Sequence, residues 1–210
     1  MQRRDALKNI GLSLGAITMS SSIASLIQSC SKGATWTPEF FSEEEAEIVA
    51  KALEIMLPGA SDIPGANQLN LCQFLDGHFN IVSFQDEKDW FKKGIGTYLS
   101  STVAISGKRN AAALTADDIE SRLAHYLKAT AAQQNTWDAA INDEETKEGS
   151  MLSEDASNFH ILKSLRGKGM WAYKISEAIG ENVLAYAPIP SQQKGCVDLQ
   201  ETTGGKAWAL

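Results

Sequence analysis

Residues 41–59 read FSEEEAEIVAKALEIMLPG, and their spacing decides the fold class. Ser42 followed by Glu45 is a capping-box pattern, in which each side chain satisfies a backbone N–H of the other residue. Phe41 sits where a hydrophobic staple would. Ala46, Val49, Leu53 and Met56 recur at helical spacing, with Ile48, Ala52 and Ile55 alongside, so the segment predicts an amphipathic helix. Pro58-Gly59 ends it. Residues 58–66 then read as a turn-rich loop, with Asp62 and two Pro-Gly pairs setting the backbone.

Outward from this stretch, helical patterns run from Leu69 to about Phe79 and from Asp86 to about Ile105. A further one starts at a Thr115–Asp118 cap and passes Leu123 and Leu127 towards Trp137. The next begins near Ser153 and carries Phe159, Leu162 and Leu165. It is expected to break at Gly167 and Gly169 and to resume from Trp171 to Ile179, where Gly180 is a stop signal. Trp90, Trp137 and Trp171 fit core-facing helix positions. Alternating β-branched runs are nearly absent. The expectation is therefore an all-α protein, a single irregular helical bundle with a long non-helical C-terminal tail.

That tail begins after Tyr186, where Pro188 and Pro190 each remove a backbone donor and restrict the residue before them. It keeps Ile189, Val197, Leu199, Trp208 and Leu210, which implies that it lies against something apolar. Its own domain and a partner protein are both open as that surface.

The N-terminus reads as an address. Arg3-Arg4 precede Leu7-Lys8, and a serine-diluted apolar stretch follows from Ile10 to Ile27. Arg-Arg-x-x-Leu-Lys resembles a twin-arginine export signal, although Ala6 stands where phenylalanine is usual. The rival readings are an ordinary secretory leader and a permanent anchor. The stretch ends Leu26-Ile27-Gln28-Ser29-Cys30, which resembles a lipobox with Cys30 as the acylated residue. Residues 1–29 are accordingly assigned to a signal segment and 30–210 to the helical domain. Cleavage without lipidation is the alternative at Cys30.

The whole chain carries 19 basic and 26 acidic side chains, a charge of −7. Loss of Arg3, Arg4, Lys8 and Asp5 with the leader leaves 16 against 25, a charge of −9. No basic excess is present to neutralise phosphates, so nucleic acid is excluded as a partner. Catalytic and cofactor motifs are equally scarce. There is no Cys-x-x-Cys-His for haem and no His-Glu-x-x-His. Gly94-Ile-Gly96 lacks the third glycine of a dinucleotide loop, and Gly204-Gly205-Lys206 fails the phosphate-loop pattern at Gln200 and Ala207. His78, His125 and His160 follow Leu75, Arg122 and Ser157 at the third position back, which excludes the Glu-x-x-His pairs of helical di-metal sites. No catalytic, metal-binding or cofactor-binding residue is assigned to this chain. Glu43–Glu45 and Asp143–Glu145 read as helix starts or solvated faces. In an oxidising compartment Cys72 and Cys196 offer two readings. They join the second helix to the tail as a disulfide, or Cys72 is a buried hydrophobe and Cys196 bridges to another chain.

Three blocks resemble the gluconate 2-dehydrogenase subunit 3 family: the Arg3-Arg4 leader; Glu54–Pro58 with Asp62-Ile-Pro-Gly-Ala66; and the run Lys174–Glu177, Val183–Tyr186, Pro188-Ile-Pro190, Gly195-Cys196 and Gly204–Trp208. The resemblance implies an accessory small subunit of a periplasmic FAD-dependent gluconate, sugar or polyol dehydrogenase. Its catalytic partner would be a flavoprotein of the glucose–methanol–choline type, holding FAD, and electrons would leave through a cytochrome c carrying haem. The small subunit would supply the export signal for that partner. Cys30 departs from the family, in which a lipid anchor on the small subunit is not general; lipid there would replace membrane attachment through a cytochrome. The expected partner interface is Asp62, Pro64 and Gly65 in the loop with Tyr186, Pro188, Pro190, Cys196 and Trp208 in the tail. A stand-alone helical periplasmic lipoprotein is the alternative.

Overall fold

The computed structural model describes residues 36–142, 152–187 and 196–209. The features below belong to the unit Pro38–Leu210. Arg3, Arg4, Cys30 and the expected 29/30 boundary lie outside the described residues, as do Asp143–Glu145 and Pro188 and Pro190. Among the described residues there are eight α-helices: α1 Glu43–Met56, α2 Leu71–Ile81, α3 Gln85–Ile105, α4 Ala116–Leu127, α5 Ala131–Asn142, α6 Glu154–Ile175, α7 Glu177–Asn182 and α8 Leu199–Thr203. A 3₁₀ turn, Ala111–Ala113, lies before α4. Among the described residues there is no strand, and the fold is all-α as expected.

The predicted caps form. Ser42 and Glu45 make both halves of the capping box at α1, and Thr115 and Asp118 do the same at α4. Helix α6 is central and packs against α1 to α5 and α7. One end of the core is a phenylalanine cluster. Phe79 and Phe91 have ring centroids 4.2 Å apart, and Phe40 stacks on Phe79 at 4.9 Å. The chain is pinned over this cluster by the buried carboxylate of Asp76, which accepts from the N–H groups of Glu39, Phe40 and Phe41 at 2.8–3.0 Å. Lys92 adds an ion pair to Glu45 and donates to the Phe40 carbonyl at 2.8 Å. Where α3, α4 and α6 meet, the buried Arg122 guanidinium donates to Tyr126 Oη at 2.9 Å, and Asn158 donates to the same hydroxyl at 3.1 Å.

Several boundaries depart from the sequence expectation. The segment after Thr115 does not run unbroken to Trp137. It is interrupted at Lys128–Thr130, where Gln134 Nε2 donates to the Tyr126 and Leu127 carbonyls and satisfies the end of α4. Helix α6 runs straight through Gly167 and Gly169. Gly169 is there for space: a Cβ at that position would lie 2.6 Å from Leu53 Cδ2 on α1. The break comes at Ser176, whose extended backbone leads into α7, and Gly180 is buried inside α7 instead of ending it. The tail is not wholly non-helical. Asp198 Oδ1 accepts from the Glu201 N–H and Gly204 takes φ +64°, so Leu199–Thr203 form one capped turn.

Candidate functional site

The two Pro-Gly pairs of residues 58–66 form one crossing. A Cβ on Gly65 would lie 2.5 Å from Gly59 N, so only glycine lets the two backbones pass. Ala60 and Ile63 pair through N–H to carbonyl bonds of 2.8 and 3.3 Å. Gly65 N–H donates to Gln68 Oε1 at 2.8 Å, and Asn67 N–H donates to Glu54 Oε2 at 2.8 Å. Ala66 N–H returns to the Leu57 carbonyl at 3.0 Å, while its own carbonyl accepts from Leu71 N–H. The loop is therefore a rigid clasp between the end of α1 and the start of α2. Asp62 is exposed on it, Pro64 is half-buried, and Gly65 is buried.

Leu57 also lines a cavity of about 130 Å³ with Leu53, Met56, Arg166 and Met170. Next to Met170, Trp171 approaches Phe74 at 5.5 Å and His78 at 5.0 Å between ring centroids. Met170, Trp171, Ile175 and Phe74 are all exposed at 37–42%. The clasp and the cavity meet at Leu57, and Trp171 follows the cavity residue Met170 on α6. Trp137 is buried at 7% as expected, but Trp90 and Trp171 are not core residues: they are 40% and 37% exposed. Helical spacing marks a face without saying what covers it, and this is why Trp171 and Phe74 escaped as surface residues.

Burial, then the Lys168 ammonium, lowers the pKa of His78, while Glu87 opposes the shift. Burial also lowers that of His160, against an opposing hydrogen bond to the Trp137 carbonyl. His78, His125 and His160 lie on α2, α4 and α6. Among the described residues no group of three or more His, Cys, Asp or Glu side chains could hold a metal ion.

The Cys72–Cys196 disulfide does not form, and both cysteines are free. Cys72 is buried on α2, donates to the Ala46 carbonyl at 3.4 Å, and has its thiol pushed up to about 12 by burial and by Asp76. Cys196 is exposed. In the tail, Ala185 N–H donates to the Ala207 carbonyl at 2.8 Å and Ala209 N–H to the Ala185 carbonyl at 2.9 Å. Tyr186 and Trp208 beside this bridge remain 50% and 51% exposed. No hydrogen bond joins the clasp to the tail among the described residues.

A sequence model of gluconate 2-dehydrogenase subunit 3 matches residues 43–190. The chain belongs to that family. The match takes in all of the clasp and of the α1–α2–α6 surface of this subunit 3 chain, and stops before Cys196 and Trp208. The family name describes a subunit of a multi-subunit enzyme. No curated protein and no solved structure matches the chain.

Proposed function

We propose that this chain is the accessory small subunit of a periplasmic, FAD-dependent dehydrogenase acting on gluconate or another sugar or polyol. It escorts a flavoprotein of the glucose–methanol–choline type through the folded-protein route by means of Arg3 and Arg4, and tethers it to the membrane by lipid at Cys30. FAD belongs to that partner, and a cytochrome c takes the electrons onward. The observation that carries this reading, beside family membership, is the exposed Phe74–Trp171 surface on α2 and α6. Exposed aromatics are the kind of anchor that dominates protein interfaces. Asp62 and Pro64 lie at its rim, Gly65 being buried, and Tyr186 and Trp208 give a second contact.

The test is co-purification. The tagged wild-type chain is expected to bring down a flavin-absorbing subunit, and F74E/W171E to lose it while keeping full helicity by circular dichroism. Recovery of the wild type as a monomer without flavin would instead match a stand-alone lipoprotein. Export of the pair should fail when Arg3 and Arg4 are both changed to Lys.

A further inference from the structure

We infer that the corner between α2 and α3, formed by Ile81, Val82 and Phe84, dips into the phospholipid surface on which the chain is tethered. This rests on the proposed acylation of Cys30. The corner is the most exposed apolar feature described: Ile81 is 79%, Val82 63% and Phe84 84% exposed. Turn geometry does not demand these residues. Val82 and Ser83 N–H both bond to the His78 carbonyl, so any side chains would serve. Phe84 even occupies the N-cap of α3 and makes no capping bond, where Ser, Thr, Asp or Asn would stabilise the helix. A local rule broken by an exposed phenylalanine points to a use outside the fold.

The occupant follows from where the chain enters. Glu39 accepts from Asn80 Nδ2, and the N–H groups of residues 39–41 bond to Asp76, so the folded unit begins beside the end of α2 that carries the corner. Glu39 lies nine steps along the chain from Cys30. Fully extended they span about 30 Å. A lipid at Cys30 therefore keeps the corner within reach of its own bilayer. Three side chains also offer far less than the ~800 Å² per partner of a stable protein interface, whereas a bilayer needs no matching surface. Charge selects the lipid. Asp86, Glu87, Lys88 and Asp89, with the Lys168 paired to Glu87, sum to −1, and Lys88 donates to the Asn80 carbonyl. Insertion is then apolar in origin and favours zwitterionic over anionic headgroups.

The test uses the mature, full-length protein in phosphatidylethanolamine–phosphatidylcholine vesicles. F84C in a C196S background is labelled with a nitroxide, Cys72 being buried. I105C, at the far end of α3 on a 63% exposed residue, is the reference. Collision with oxygen relative to a water-soluble nickel chelate is expected to be several-fold higher at 84 than at 105, and to fall when anionic lipid is added. Acylation is read independently from the mass of the mature chain. An acylated chain whose label at 84 is as aqueous as that at 105 overturns the corner's role and leaves the accessory-subunit reading standing. Absence of the acyl mass removes the tether, and this inference with it. Protection of position 84 that appears only when the flavoprotein is added overturns it in favour of a protein contact.

Discussion

The segment that opens the folded unit and the segment that closes it are both irregular, yet they are held in opposite ways. Residues 39–41 give three backbone N–H groups to one buried carboxylate and place Phe40 and Phe41 against Phe79 and Phe91. Residues 196–209 return to the bundle through two backbone hydrogen bonds at Ala185, and Val197, Leu199 and Trp208 stay 45–57% exposed. Apolar residues in an irregular segment are buried where a polar hub fixes the backbone over the core. Without a hub they remain available to something else. The following experiments measure how real that difference is.

Asp76→Ala should have the largest effect. It strands three N–H groups at the rim of the phenylalanine cluster, and hydrogen bonds to a charged acceptor are worth enough that the loss should be roughly 3–5 kcal/mol. Urea unfolding measures it, and a loss under about 1 kcal/mol would remove the contrast between the two ends. Next come two glycines that both look crowded. Gly65→Ala pushes a Cβ against the Gly59 backbone, which cannot yield, and should cost about 3 kcal/mol. Gly169→Ala meets only the tip of Leu53, which has the 130 Å³ cavity to move into. Its gain in helix propensity offsets the overlap, so the net change should stay within about 1 kcal/mol. Equal effects in the two variants would show that the clasp is softer than its geometry.

These contacts also mark how far the sequence could be read. The start of α1 was legible to the residue because a capping box is a local device, written in Ser42 and Glu45 alone. The same holds for Thr115 and Asp118. The clasp was legible as a turn, but not the reason for its second Pro-Gly pair, which is a close approach to the first. Asp76 was invisible: its three donors lie 35 to 37 residues away, and nothing near it in sequence announces them. Gly169 misled because glycine reads as a helix breaker when only its backbone is considered, whereas here it serves the packing of α6 on α1. Trp171 and Phe74 were hidden for a related reason, since an aromatic stripe looks the same whether its cover is the chain itself or another molecule.

A smaller effect comes from acid. His78 and His160 both have pKa values below the ordinary histidine range in the folded chain, chiefly because burial disfavours the charged ring. The unfolded chain thus takes up protons more readily near pH 6.5. Stability is then complete above that value and declines as pH falls through the lower folded values. The urea midpoint should fall between pH 7.5 and 5, and H160Q and H78Q should each flatten the decline. Neither histidine is in the tail. Removing residues 196–210 should leave the shape of the curve unchanged, and a flattened curve would mean that the tail contributes to the acid response.

That truncation on its own should have the smallest effect on the bundle. It forfeits the Ala185 N–H bond to Ala207 and the Ala209 bond to Ala185, and each such exchange with water is worth about 1 kcal/mol net. Releasing fifteen residues from partial order returns entropy that opposes even this loss. The unfolding midpoint should therefore move by little, while the amount of flavin recovered with the chain should fall, because Trp208 and its neighbours are then missing from the proposed second contact. A truncated chain that binds the flavoprotein as well as the full one would confine the interface to the clasp and the Phe74–Trp171 surface. A truncated chain that loses several kcal/mol would show that the tail is anchored by more than its two backbone bonds, and the two ends of the unit would differ in sequence alone.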